Sequence, residues 1–147
     1  MDFSENKIFS QLRHNVISKM RTFVGNDNKR FFSDNELLQL TEIEVSFLSR
    51  NSVSRHGLTT NLDKSKKISP SNCIVRLNRK LFEEKYFSYA EFVLYHEYIH
   101  CLGNFSHDKN FRQLENLWPN IEKMSIFGGQ LTLSLIHISE PTRQASI

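Results

Sequence analysis

The chain has 147 residues, 39% of them hydrophobic and 24% charged, with a formal net charge of +3 and a mean hydropathy of -0.44. That length supports a single domain with its own apolar core, and without a run of about 18 apolar residues no transmembrane helix is expected. The polar, mixed-charge start MDFSENKIFS lacks the order of a secretory signal. Two cysteines, Cys73 and Cys101, are too few for a disulfide framework or a four-cysteine zinc site, so a reducing cytoplasm is the expected compartment.

Ile8, Leu12, Val16, Met20 and Phe23 recur mostly at i, i+4, which predicts an amphipathic helix over 5–23. GNDNK at 25–29 reads as a turn. Ser33 and Glu36 form a capping box before a short helix through Leu40. Ile43, Val45 and Phe47 alternate with polar residues, which predicts a strand over 42–49, with a helix running on from Leu37 as the competing reading. A second strand is read over 56–62, then a polar loop over 63–72, then a third strand over 73–78. In that third strand Cys73, Val75 and Leu77 share the buried face.

Ser88 and Glu91 predict another capping box, opening a helix that carries Phe92, Val93, Leu94, Ile99 and Leu102. Its wide apolar surface makes it the central helix, and Gly103 is its stop. Asp108 opens a further helix that finishes before Pro119. The order of helices, three strands and two helices describes one α+β domain.

The chemistry lies in His96-Glu97-Tyr98-Ile99-His100. On a helix, i and i+4 imidazoles leave the same face about one turn apart, so both can bind one zinc ion at about 2.0–2.1 Å. Glu97 projects beside that ion, where a carboxylate can accept a proton from zinc-bound water. A hydrolytic zinc site needs a third protein ligand and an open position for water. His107, just beyond the glycine stop, is the candidate third ligand. Cys101 is expected to be a buried, inert thiol, as is Cys73, and His14 and His56 are read as structural. Tyr95, Tyr98 and Arg112 are near in sequence, but no oxyanion stabiliser is assigned.

From about Ser54 to Pro119 the chain resembles the SprT-like, WLM and YgjP-like zinc metallopeptidases. The resemblance rests on RHGLTT, CIVRLNRKLF with its Val75-Arg76-Leu77-Asn78 strand, HEYIHCLG, and HDKNFRQLENLWP, where His107 is followed by Phe111. It implies a compact zincin-like fold, zinc held by His96, His100 and His107, catalysis by Glu97, and protein or peptide substrates. SprT-like members act on proteins crosslinked to DNA, so DNA is an implied partner. The four-cysteine ribbon that often follows in SprT-like proteins has no counterpart in this sequence. Three residues separate Gly103 from His107, one more than in the metzincin pattern, and Met124 is an unsupported candidate for a metzincin Met-turn.

The expected mechanism is endopeptidase hydrolysis, with an extended substrate pairing along a sheet edge, assigned to strand 73–78. The alternatives are a nucleic-acid-associated module with a structural zinc and a YgjP-like hydrolase of small molecules. For the first of these, residues 1–67 hold only 11 Lys/Arg against 8 Asp/Glu, a small basic excess. Finally, LSLIHISEPTR at 133–143 resembles one translated frame of a transposon-end sequencing adapter. Residues 133–147, His137 included, are therefore expected to be a non-native tail, with the domain spanning 1–132 and its natural C-terminus cut short. Read as native sequence, the period-two start of this stretch would make a strand.

Overall fold

A computed structural model describes residues 3–138. It is α+β. The described residues form five helices and a three-stranded sheet: α1 (Phe3–Met20), α2 (Asp34–Leu40), β1 (Val45–Phe47), β2 (Gly57–Asn61), β3 (Cys73–Leu77), α3 (Phe87–Cys101), α4 (Lys109–Glu115) and α5 (Ile121–Ile138). Three short 3-10 turns, Pro70–Asn72, Arg79–Phe82 and Glu84–Tyr86, link them.

The strand order is β1-β3-β2. β1 runs parallel to β3, with Val45 opposite Val75, and β2 runs antiparallel to it, with Gly57 opposite Leu77. The expectation that strand 73–78 is a sheet edge is therefore wrong: β3 is central, and β2 takes an edge. β3 bonds β1 on one side and β2 on the other, and the alternation of Cys73, Val75 and Leu77 marks only its buried face, not how many neighbours it has.

α3 lies at the centre, against α1, β2 and β3. It buries Tyr89, Val93, Leu94, Tyr95, Tyr98 and Ile99, nearly all round its axis. Such a helix shows weak amphipathicity because it belongs to the core. Leu12, Met20, Leu77, Leu94 and Phe111 are completely buried, each contributing about 1.5–3 kcal/mol of transfer free energy.

Several local expectations hold. The Ser33–Glu36 capping box is formed in both directions, at 3.1 and 2.9 Å. Asp108 caps α4 through the Phe111 amide at 2.9 Å. Residues 25–29 turn, with Gly25 N donating to Lys29 O at 2.9 Å. The polar loop 63–72 is stapled by the Asn72 side chain, which donates to Asn61 Oδ1 at 2.6 Å and accepts from Asp63 N at 2.8 Å.

Others are corrected. Ser88 does not cap α3. The helix starts at Phe87, two residues earlier, out of a 3-10 turn and without a side-chain cap, and Glu91 instead accepts from Asn15 Nδ2 at 2.9 Å, tying α1 to α3. In α1 Phe9 is buried where Ile8 was expected, and the helix ends at Met20, before Phe23. The strand over 42–49 is confined to Val45–Phe47. The largest omission is α5. Its Met124, Leu131 and Leu135 are buried at spacings that share a helix face. Met124 thus sits within a helix, not in a Met-turn. Of the segment expected to be non-native, residues 133–138 continue α5 as helix rather than strand, and 139–147 lie outside the described residues.

Candidate metal centre

α3 places His96 and His100 on one face and Glu97 one position round. Gly103 then ends the helix at φ +108°, a left-handed conformation that glycine alone adopts freely. Nothing lies within 4 Å of where its Cβ would stand, so the requirement is conformational, not spatial. The chain reverses through Asn104–Ser106 and returns His107 to the histidine pair.

The three Nε2 atoms converge. His107 Nε2 is 3.1 Å from His100 Nε2 and 3.2 Å from His96 Nε2. Donors 2.0–2.1 Å from a tetrahedral ion stand about 3.3 Å apart, so the cluster is close enough to bind one metal ion. The outward nitrogens settle which atoms face inward. His100 Nδ1 meets the Asn104 carbonyl at 2.8 Å, and that oxygen only accepts, so Nδ1 carries the hydrogen. His96 Nδ1 donates to Glu115 Oε2 at 2.6 Å. With Nδ1 of each engaged outward, the Nε2 atoms of His96 and His100 are the ones turned to the shared point, beside that of His107. A cation at that point would be met by three nitrogen donors.

Phe111 is the floor of the site. Its ring centroid lies 4.7–4.8 Å from the centroids of all three imidazoles, which explains the spacing between His107 and Phe111. Tyr95 Oη donates to Leu114 O and locks α4 onto α3. Burial, then the other two histidines' charges, depress His100 beyond what the Asn104 carbonyl restores. Burial and the charges of His96 and Arg112 also depress His107. Both favour the neutral form that ligates metal. Burial raises the Glu115 carboxyl, but hydrogen bonds from His96 and Arg112 outweigh it and hold the group below the ordinary range.

Glu97 is buried between α3 and β2. Its Oε1 accepts from Thr59 Oγ1 at 2.8 Å. Burial raises its pKa, opposed by His96, the Thr59 hydrogen bond and Arg55. The strand can come this close because residue 57 is glycine: a Cβ there would stand 2.8 Å from Val93 Cγ1 and 3.1 Å from Glu97 Oε2.

A cavity of about 260 Å³ opens over the three histidines and Glu97, with Arg55, Leu58, Ile68 and Phe105 on its wall. A second of about 380 Å³ shares Arg55, Gly57, His96 and Glu97 and continues to Tyr89 and Phe92. The two cavities thus adjoin along Arg55, Gly57, His96 and Glu97.

All four expected site residues, His96, Glu97, His100 and His107, come together. His14 and His56 stay outside the cluster. Cys73 and Cys101 are buried, free thiols. Tyr95 and Tyr98 are buried in the core, and Arg112 is paired with Glu115 at 2.8 Å, so none of these three faces the groove. Sequence reasoning missed Glu115, Thr59, Gly57 and the Asn104 carbonyl. Only Glu115 left a trace, as the i+3 partner of Arg112.

No family model, no curated protein and no solved structure matches this chain. Among the described residues no helix is long and apolar enough to cross a membrane.

Proposed function

We propose that this chain is a zinc metalloendopeptidase with a zincin-like site, of the kind the SprT-like and YgjP-like resemblance implies. One observation carries the reading: three imidazole Nε2 atoms converge beside the buried carboxylate of Glu97, where two cavities adjoin. His96, His100 and His107 would hold the ion, and three protein ligands leave a position for water. When bound, zinc would lower the pKa of that water to about 7 and polarise the scissile carbonyl.

The residues supply the rest. Glu97 accepts the proton of the attacking water and returns it to the leaving amine. Thr59 fixes one carboxylate oxygen, leaving the other to meet the water. β2, an edge strand lying over α3, offers main-chain groups for an extended peptide to pair with, and such pairing would draw the scissile bond past Glu97. An endopeptidase needs room for substrate on both sides of that bond, which the two adjoining cavities provide. The resemblance extends the substrate class to proteins held on DNA, and assays with and without duplex DNA address that extension.

The test is Glu97→Gln on the full chain, with zinc content and cleavage of labelled β-casein measured together. The variant is expected to keep one zinc per chain and lose hydrolysis. His107→Ala is expected to lose zinc. Undiminished cleavage by Glu97→Gln overturns the mechanism.

A further inference from the structure

Resting on that reading, hydrolysis leaves one charge without a partner on this chain. As the water oxygen bonds to the carbonyl carbon, the C=O π pair moves onto the carbonyl oxygen, which becomes anionic. The pair then returns as the C–N bond breaks, and the amine leaves with the proton carried by Glu97. We propose that Arg55 is a further catalytic residue whose guanidinium binds this oxyanion.

The geometry singles it out. Among the described residues, Arg55 is the one lysine or arginine that lines either cavity, and it lines both, at their junction beside His96 and Glu97. Its side chain is exposed, and no described carboxylate lies within 4.0 Å of it. Its charge nevertheless reaches Glu97. The other polar groups near the groove are committed within the chain: Arg112 to Glu115, Thr59 to Glu97, and Tyr89 to His56.

A long, exposed side chain is useful for catalysis only if its base is fixed. The buried Asn78 does this. Its Nδ2 donates to Arg55 O at 2.9 Å and to Ser52 O at 3.3 Å, and its backbone N donates to His56 O at 2.9 Å. Asn78 closes β3 and Arg55 leads into β2, so the antiparallel pair itself sets where the guanidinium starts. It then has a free fork of donors suited to an oxygen anion.

The experiment compares wild type, Arg55→Ala and Arg55→Lys as full chains loaded with Co(II). Acetate is titrated and followed by the visible Co(II) spectrum, and kcat and KM are measured on a neutral and an Asp-rich quenched peptide. Expected for Arg55→Ala are unchanged Co(II) affinity, acetate binding weaker by about 10-fold, and kcat lower by about 100- to 1000-fold on both peptides, the cost of losing one oxyanion donor. Arg55→Lys and added guanidinium are expected to restore part of the loss. Acetate affinity and kcat equal to wild type overturn the assignment. So does a loss confined to KM on the Asp-rich peptide, which would make Arg55 a binder of substrate carboxylates. Wild type that takes up no Co(II) overturns the metal reading itself, and the role of Arg55 with it.

Discussion

Glu115 Oε2 lies 2.6 Å from His96 Nδ1, while Arg112 Nη1 holds the other carboxylate oxygen at 2.8 Å. The pair spans two helices. α3 carries the histidine, α4 carries Glu115 and the Arg112 that holds it, and Phe111 of α4 also underlies all three imidazoles. The same seven-residue helix therefore fixes the tautomer of His96 and the ring planes of all three histidines.

Glu115 is consequently expected to govern metal affinity without touching the ion. Glu115→Ala leaves His96 free to rotate and to hold its hydrogen on Nε2. Loss of such a carboxylate partner weakens a metal site by about 10- to 100-fold, and Glu115→Gln, whose amide oxygen still accepts, is expected to lose less. Competition with a chelator at neutral pH measures both variants. Equal zinc affinity in Glu115→Ala and wild type would refute this role.

Gly57→Ala is expected to damage catalysis more than metal binding. The added Cβ would stand 2.8 Å from Val93 Cγ1, closer than such atoms approach, and 3.1 Å from Glu97 Oε2. β2 must move away from α3, taking Thr59 from Glu97. Overpacking of this kind costs about 1–3 kcal/mol. Urea unfolding should show that loss, with zinc stoichiometry intact and casein cleavage reduced at least about 10-fold, since small misplacements at a reacting centre are amplified. Wild-type turnover in this variant would show that Glu97 tolerates the shift.

Asn78→Ala removes the acceptor of Lys80 N at 3.0 Å and the donor to Ser52 O and Arg55 O. Buried backbone groups left unpaired cost about 1–3 kcal/mol. The denaturant midpoint should fall accordingly, and Asn78→Asp, which keeps only the acceptor, should fall between the two. A midpoint unchanged in Asn78→Ala would mean that water replaces the amide at no cost.

The parts of this molecule legible in its sequence are those written in local spacing. His96 and His100 share a helix face by geometry alone, Gly103 marks the stop, and Val75 and Leu77 mark a buried strand face. Contacts made by tertiary return were not legible. Glu115 lies 19 positions beyond His96 and meets it only because Tyr95 and Leu114 lock two helices together. Gly57 looks like an ordinary strand-end glycine until α3 is laid against it. The edge was misplaced for a related reason: alternation gives the buried face of β3 but not the number of neighbours it bonds. α5 was hidden because its apolar stripe runs from Met124 to Leu135, across the point where an adapter-like stretch begins.

The last prediction concerns acid stability and His56. Thr132 Oγ1 gives its hydrogen to Gly128 O at 3.0 Å, so it must accept from His56 Nε2 at 3.0 Å. That places the hydrogen of neutral His56 on Nε2 and leaves Nδ1 to accept from Tyr89 Oη at 2.8 Å. Tyr89 remains a neutral donor, because burial and the charges of Glu115 and Glu97 push its pKa up to about 12. Burial lowers the His56 pKa from 6.5, and a proton on Nδ1 would also oppose the Tyr89 donor. With the folded value below the unfolded one, the unfolded chain binds more protons in the interval, so stability rises with pH. The contribution is complete above about pH 6.5 and is lost as the pH falls toward the folded value of His56. Other depressed histidines add to the slope, so the measurement is a difference. Urea unfolding at about pH 7.5 and about pH 5.5 should show wild type losing more stability on acidification than His56→Gln, which cannot take up the proton. Equal losses in the two chains would show that the network accommodates charged His56 as readily as neutral.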